Sequence, residues 1–168
     1  GHVKAICLNF DLGEEFGAPV NLRFDDTNPS SEKKIYVEGI KEDILWLGYK
    51  WHKECYASDY FDKLYLWAEE LISKGRAYVD SQDSETIASQ KGTPTKPGKE
   101  SPYRGRSQEE NLSLFSKMRA GKFEEGEHVL RGKIEMSSAN MLLRDPVMYR
   151  IINKSNQRTL KKWCIYPM

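Results

Sequence analysis

Two adjacent carboxylates, Asp25 and Asp26, stand in the stretch NLRFDDTNP, residues 21–29. Such a pair suits an ammonium, a ribose or a metal ion, provided that the backbone delivers both groups to one place. The residues before them supply that delivery. Leu22 and Phe24 alternate with Asn21 and Arg23 as on a strand, and Asn28-Pro29 ends it, because proline has no N–H for a ladder. The acids therefore fall at the carboxyl end of a strand, where open α/β sheets receive their ligands. The competing role is structural, with one Asp capping the next helix or closing an Asx turn.

The second chemical feature is basic. Lys91, Lys96, Lys99, Arg104 and Arg106 share residues 91–106 with a single acid, Glu100, and residues 144–162 hold six basic residues against Asp145 alone. Over the whole chain 26 Lys and Arg balance 25 Asp and Glu, so the distribution, not the total, points to a polyanion. A solvated basic loop is the plainer explanation of either patch. Cys7, Cys55 and Cys164 are widely spaced and odd in number, which speaks against a disulfide framework or a zinc knuckle and for a reducing, cytoplasmic setting. No apolar run reaches the roughly 20 residues of a membrane span, and no signal peptide opens the chain. At 168 residues the length fits one domain or slightly more. Opening at Gly1-His2 without a methionine and closing in the strand-like WCIYPM, the sequence reads as a piece of something longer.

These features need elements to hold them. Residues 2–16 read as a helix that Gly17-Ala18-Pro19 ends before a strand at 20–24. Ser30 or Ser31 then caps a helix with Val37, Ile40, Ile44 and Leu47 on one face and Gly48 as its stop. Another helix starts near Ser58-Asp59, with Tyr60, Leu64, Trp67 and Leu71 along one side and Gly75 beyond its end, so the two predict a helical hairpin. RAYVD is a short strand, and residues 90–107, with three prolines and three glycines, form a long irregular segment of the kind that is often functional. A helix over 108–120 packs through Leu112, Phe115 and Met118. HVLRGKIEM, DPVMYRII and KKWCIYPM follow as strands, with Arg131 and Lys133 on one face of the first.

The stretches GHVKAICLNF, NLRFDDTNPSSEKKIYVEGIKEDILWLGYKW, SDYFD, SPYRGRS, RDPVMYRI and WCIYPM, in this order, resemble the catalytic core of the class I aminoacyl-tRNA synthetases, and within them the glutaminyl enzymes. The resemblance spans the whole chain. It implies an α/β fold: a Rossmann-type nucleotide-binding half-domain at 1–57, an α+β insertion gripping the tRNA acceptor end at 58–162, and at 163–168 the start of a return strand to the catalytic domain. It also implies ligation of glutamine to its tRNA through a glutaminyl-adenylate, with ATP and Mg²⁺ arriving as a substrate complex, no permanent cofactor, no bound metal at the Asp pair, and a monomeric parent enzyme whose partners are glutamine, ATP and tRNA.

Residue by residue, Gly1-His2 matches the end of the H-I-G-H signature, which makes His2 the catalytic candidate and Gly1, His2, Val3, Lys4 and Ala5 the ATP-binding ones. Backbone amides at a helix start favour phosphate. Asp25 would hold the α-ammonium of the amino acid, and Thr27 and Glu32 would lie near the terminal adenosine. Lys91, Pro94, Thr95, Arg104 and Arg106 map to the acceptor-stem loop, where Pro94 replaces the leucine wedge of familiar bacterial members. The first H-I-G-H histidine, the tyrosine expected after Met168, the K-M-S-K-S loop and the anticodon-binding barrels are not in this sequence, so activity is expected of a parent enzyme and not of the piece. Glutamyl-tRNA synthetases of eukaryotic type share FDDTNP, while WCIYPM, SPYRGRS and RDPVMYRI lean to glutamine. A tRNA-binding module without catalysis is the alternative outside enzymes.

Overall fold

A computed structural model describes residues 1–30 and 34–168, and divides them into two units, Gly1–Tyr60 with Asn156–Arg158, and Phe61–Ser155 with Thr159–Met168. In the first unit, helix α1 (His2–Glu15) leads to β1 (Asn21–Phe24), α2 (Lys34–Trp46) and β2 (Lys53–Tyr56). β1 and β2 pair in parallel, Asn21 opposite Lys53 through Phe24 opposite Tyr56, so β1-α2-β2 is a crossover unit of the α/β kind. The chain turns tightly between α1 and β1. A side chain on Gly13 would meet Val20 Cγ2 at 2.3 Å, and the Ala18 amide donates back to the Gly13 carbonyl at 2.8 Å.

The second unit packs α3 (Phe61–Ser73), α4 (Ser84–Gln90) and α5 (Gln108–Arg119) with an antiparallel sheet of β3 (Ala77–Asp80), β4 (Val129–Gly132), β5 (Val147–Ile151) and β6 (Ile165–Pro167), in that spatial order. Its core is aromatic. Phe61 meets Trp163 and Tyr166 edge-on, and Phe115 stacks on Tyr65 and meets the Tyr149 ring edge-on. Helix α5 starts on Ser107, whose side chain accepts the Glu110 amide at 3.1 Å, and it carries acids in its first turn and bases in its last, as the helix dipole favours. Strand β3 lies at the edge of the sheet, yet all four of its residues are buried. Side chains close that edge: Asn111 Oδ1 accepts the Val79 amide at 2.8 Å, and Arg106 Nη1 donates to the Val79 carbonyl at 2.8 Å.

The structure corrects several sequence expectations. No hairpin joins the helices at 34–46 and 61–73, because β2 and a 3₁₀ turn at Ala57–Tyr60 stand between them. Helix α3 buries Phe61, Ala68 and Ile72, whereas Tyr60, Trp67 and Leu71 are exposed, so its apolar face is turned from the one read off the spacing. Ile165–Pro167 forms β6, hydrogen-bonded to β5 in the second unit. Arg131 is not at the surface. It is wholly buried and forms an ion pair of 2.8 Å with Asp80, also wholly buried.

That pair generates a stability prediction. Removing one member strands the other charge in the core, so Arg131→Met alone should destabilise by roughly 3–5 kcal/mol. The double change Asp80→Leu with Arg131→Met should cost less than either single change. Urea unfolding of the three variants checks this, and additive losses would show that the two charges are not coupled.

Candidate functional site

The strand tip of the first unit separates the two acids. Exposure alternates along the strand and continues past its end, so that Asn21, Arg23 and Asp25 are exposed while Leu22 and Phe24 are half-buried and Asp26 is buried. Asp26 turns inward and accepts the Ser58 amide on Oδ1 at 2.8 Å, and its carbonyl accepts Asn156 Nδ2 at 2.9 Å. Asp25 makes no hydrogen bond or ion pair with any described residue. Of the two carboxylates, one is built into the tip and one is offered to solvent.

Residues that the sequence reading did not single out complete this tip. Arg158 lies over the Tyr56 ring, 3.8 Å from its centre, and Nη1 donates to Ser58 Oγ at 3.0 Å and Asp59 Oδ1 at 2.6 Å. Glu54 accepts Lys41 at 2.8 Å and the Tyr56 hydroxyl. The bond from Lys41, with help from that of Tyr56, holds the Glu54 carboxyl below its ordinary range, and the same Glu54 contact raises Lys41. Burial, then the Glu54 bond, raises the Tyr56 phenol. Only the basic character of Arg158 was visible in the sequence, because its partners lie about a hundred positions away.

Gly1 to Ala5 form the exposed start of α1, which has no side-chain cap and no acid in its first turn. Its leading amides are therefore open to an anion. His2 and Ala5 line a groove of about 850 Å³ together with Asn21, Arg23, Tyr36 and Asp43. Thr27 is half-buried beyond the tip, and Glu32 lies outside the described residues.

In the second unit the segment 91–106 is irregular, as expected, and its residues have different fates. Thr93 and Lys96 exchange backbone hydrogen bonds of 3.1 Å, which leaves Pro94 and Thr95 at the exposed tip of a two-residue turn. Lys96 and Lys99 are exposed and Lys91 is half-buried, and none of the three forms an ion pair among the described residues. The arginines are committed to the protein itself. Arg104 Nε donates to Asp145 at 2.7 Å, an interaction that raises the pKa of the guanidinium, and Nη1 pairs with Glu100 at 3.0 Å. Arg106 stacks on Tyr103 and pairs with Glu110 at 3.1 Å, besides closing the edge of β3.

Comparison with known proteins places this geometry. The profile of the family described as tRNA synthetases class I (E and Q), catalytic domain, matches residues 1–168. The chain belongs to that family. It is 57% identical to the glutamine–tRNA ligase of Vibrio cholerae, 58% identical to that of Vibrio vulnificus and 58% identical to that of Clostridium perfringens, in each case over 100% of this chain and 30% of the relative. The chain thus spans about 30% of the length of these relatives. The mixed α/β content is that of a class I catalytic domain, and no helix among the described residues is long and apolar enough to cross a membrane.

The division of the acids gives a prediction that needs no substrate. Asp26→Ala should lower stability by about 1–3 kcal/mol, because it leaves the Ser58 amide without its acceptor. Asp25→Ala should leave the melting temperature unchanged. Equal losses in thermal unfolding would mean that both acids are structural.

Proposed function

We propose that the full-length protein of which this chain forms part ligates glutamine to its tRNA at the expense of ATP. The observation that carries this is the match, end to end and at 57–58% identity, to proteins named glutamine–tRNA ligase, with Asp25 left unpartnered at the strand tip. In this reading Asp25 takes the α-ammonium of glutamine in a charge-assisted hydrogen bond and aims the substrate carboxylate at the α-phosphorus of ATP. A carboxylate oxygen bonds to that phosphorus as pyrophosphate leaves. The ribose hydroxyl of the terminal adenosine then attacks the activated carbonyl and AMP leaves. His2 and the amides of Gly1 to Ala5 face the ATP phosphates, and Mg²⁺ accompanies ATP. Catalysis is by position and electrostatics, with no covalent enzyme intermediate.

The second unit, in this reading, is the insertion that holds the tRNA acceptor end. Lys91, Lys96 and Lys99 supply phosphate contacts, and Pro94 and Thr95 meet the first base pair from the turn tip. Thr27 lies near the terminal adenosine. Arg104 and Arg106 act at one remove, by fixing the loop that carries the lysines. That these relatives are glutamine–tRNA ligases favours glutamine over glutamate within the E and Q family. Such an enzyme works in the cytoplasm.

Two experiments test the halves separately. In the full-length protein, Asp25→Ala should raise the glutamine KM and lower kcat together, by about a hundredfold or more in kcat/KM, while the tRNA Kd stays within about twofold. Wild-type aminoacylation in that variant would reject the assignment. Lys96→Glu with Lys99→Glu should weaken tRNA binding and flatten the slope of log Kd against log salt by about two units or slightly less. Pro94→Ala should leave that slope alone and change only the discrimination between a paired and an unpaired first base pair.

A further inference from the structure

Arg144 is 1% exposed, and among the described residues no carboxylate pairs with it. Its guanidinium donates to backbone carbonyls alone. Nε reaches Ser138 O at 2.7 Å, and Nη1 reaches Lys91 O at 2.6 Å, Thr93 O at 2.9 Å and Lys96 O at 3.0 Å. A buried guanidinium without a counter-ion is costly, so these four dipoles must offset the loss of water. The converse matters more. Three carbonyls of one short segment turn inward around a single nitrogen, and in doing so they fix the backbone of the 91–96 turn.

The surrounding packing agrees with a preset turn. Gly92 sits at φ +72°, where a Cβ would meet Lys96 O and Pro97 O at 2.6 Å, and a Cβ on Gly98 would meet Gln90 O at 2.8 Å. The Lys99 amide donates to Gln90 O and the Gly98 amide to Met136 O, each at 2.8 Å. The next residue in the chain, Asp145, holds Arg104 at the exit of the same loop. The consecutive pair Arg144-Asp145 thus ties down both limbs of the basic segment while both of its side chains stay out of solvent.

We propose that Arg144 is a positioning residue for the acceptor end of tRNA: it holds the 91–96 turn in its binding shape before the nucleic acid arrives, and so removes the ordering cost from association. The proposal rests on the reading of this loop as the acceptor-end contact. Arginine is required because Nε and Nη1 serve carbonyls on two separate segments at once, whereas a lysine ammonium is a single point.

The test uses Arg144→Gln and Arg144→Lys in the full-length protein, with hydrogen exchange at the amides of Thr93, Lys96, Gly98 and Lys99 measured beside aminoacylation kinetics and melting temperature. Arg144→Gln should speed exchange at these amides by about ten- to a hundredfold and raise the tRNA KM by about tenfold, with the glutamine KM unchanged. Arg144→Lys should fall between wild type and Arg144→Gln. It keeps the buried charge, and it carries the comparison if Arg144→Gln does not fold. Unchanged exchange in the folded variants would overturn the clamp. Faster exchange with an unchanged tRNA KM and Kd would leave the clamp standing but overturn the positioning role, whereas the reading of the loop as a tRNA contact is decided separately by the Lys96→Glu and Lys99→Glu variant.

Discussion

The second unit depends on the need to neutralise charge where water is excluded, and the centre of that constraint is Asp145. This residue is wholly buried and takes φ of +40°, a value that aspartate tolerates better than most side chains. Its Oδ2 accepts Arg104 Nε and the Tyr78 hydroxyl, its Oδ1 accepts the Ile134 amide, and its carbonyl accepts Arg131 Nε. Arg131 passes the constraint on to Asp80, whose Oδ1 in turn accepts the Gln82 amide. Two acids and two guanidinium groups balance, and burial keeps the Tyr78 phenol protonated well above its ordinary range. Such a network tolerates no vacancy, because a lost partner leaves a charge that cannot hydrate. The register of β3, β4 and the approach to β5 is therefore linked to the position of Arg104, the residue through which the basic loop rejoins the core.

The first unit meets a different demand with the same economy of placement. A strand has a side-chain period of two, so consecutive residues at its tip must face opposite ways. Applied to Asp25 and Asp26, that rule assigns one carboxylate inward, where the Ser58 amide fixes it, and leaves the other outward. The adjacent acids face apart: Asp26 is an anchor and Asp25 is open to solvent. Arg158 and Asn156, distant in sequence, bond to Ser58, Asp59 and the Asp26 carbonyl and brace the anchor side.

Where pattern and partner coincide, the sequence was readable. Alternation and Asn28-Pro29 marked β1 and its end, and the crowd of proline and glycine marked 90–107 as irregular. Strand β2 escaped because Lys53-Glu54-Cys55-Tyr56 shows no apolar alternation; its pairing with β1 is a tertiary fact. Helix α4, at seven residues, is too short for periodicity; the structure starts it on Asp83, whose side chain accepts the Thr86 amide. The apolar face of α3 was misread because Trp67 and Leu71 are as hydrophobic as Phe61 and Ile72. Composition does not say which stripe finds a partner. In the candidate site the choice of Asp25 came from the family resemblance and not from strand geometry, and most partners of the arginines were not legible, because apart from the local pairs with Glu100 and Glu110 the bonds join residues far apart in sequence or run to backbone carbonyls.

This last failure has a physical pattern. In the 91–106 segment Arg104 and Arg106 bond to the protein while Lys91, Lys96 and Lys99 form no ion pair among the described residues; in 144–162 Arg144 and Arg158 bond to the protein, and so does Lys162, which pairs with Asp62 at 2.6 Å. The division follows from the side chains. A guanidinium is planar, weakly hydrated and has five donors, so it can satisfy several fixed carbonyls, whereas an ammonium is strongly hydrated and remains at the surface. A count of basic residues therefore overstates the charge that a phosphate backbone would meet. In the 91–106 segment the arginines fix the shape of the loop, and the unpaired cationic charge on it is left to the lysines that they hold in place.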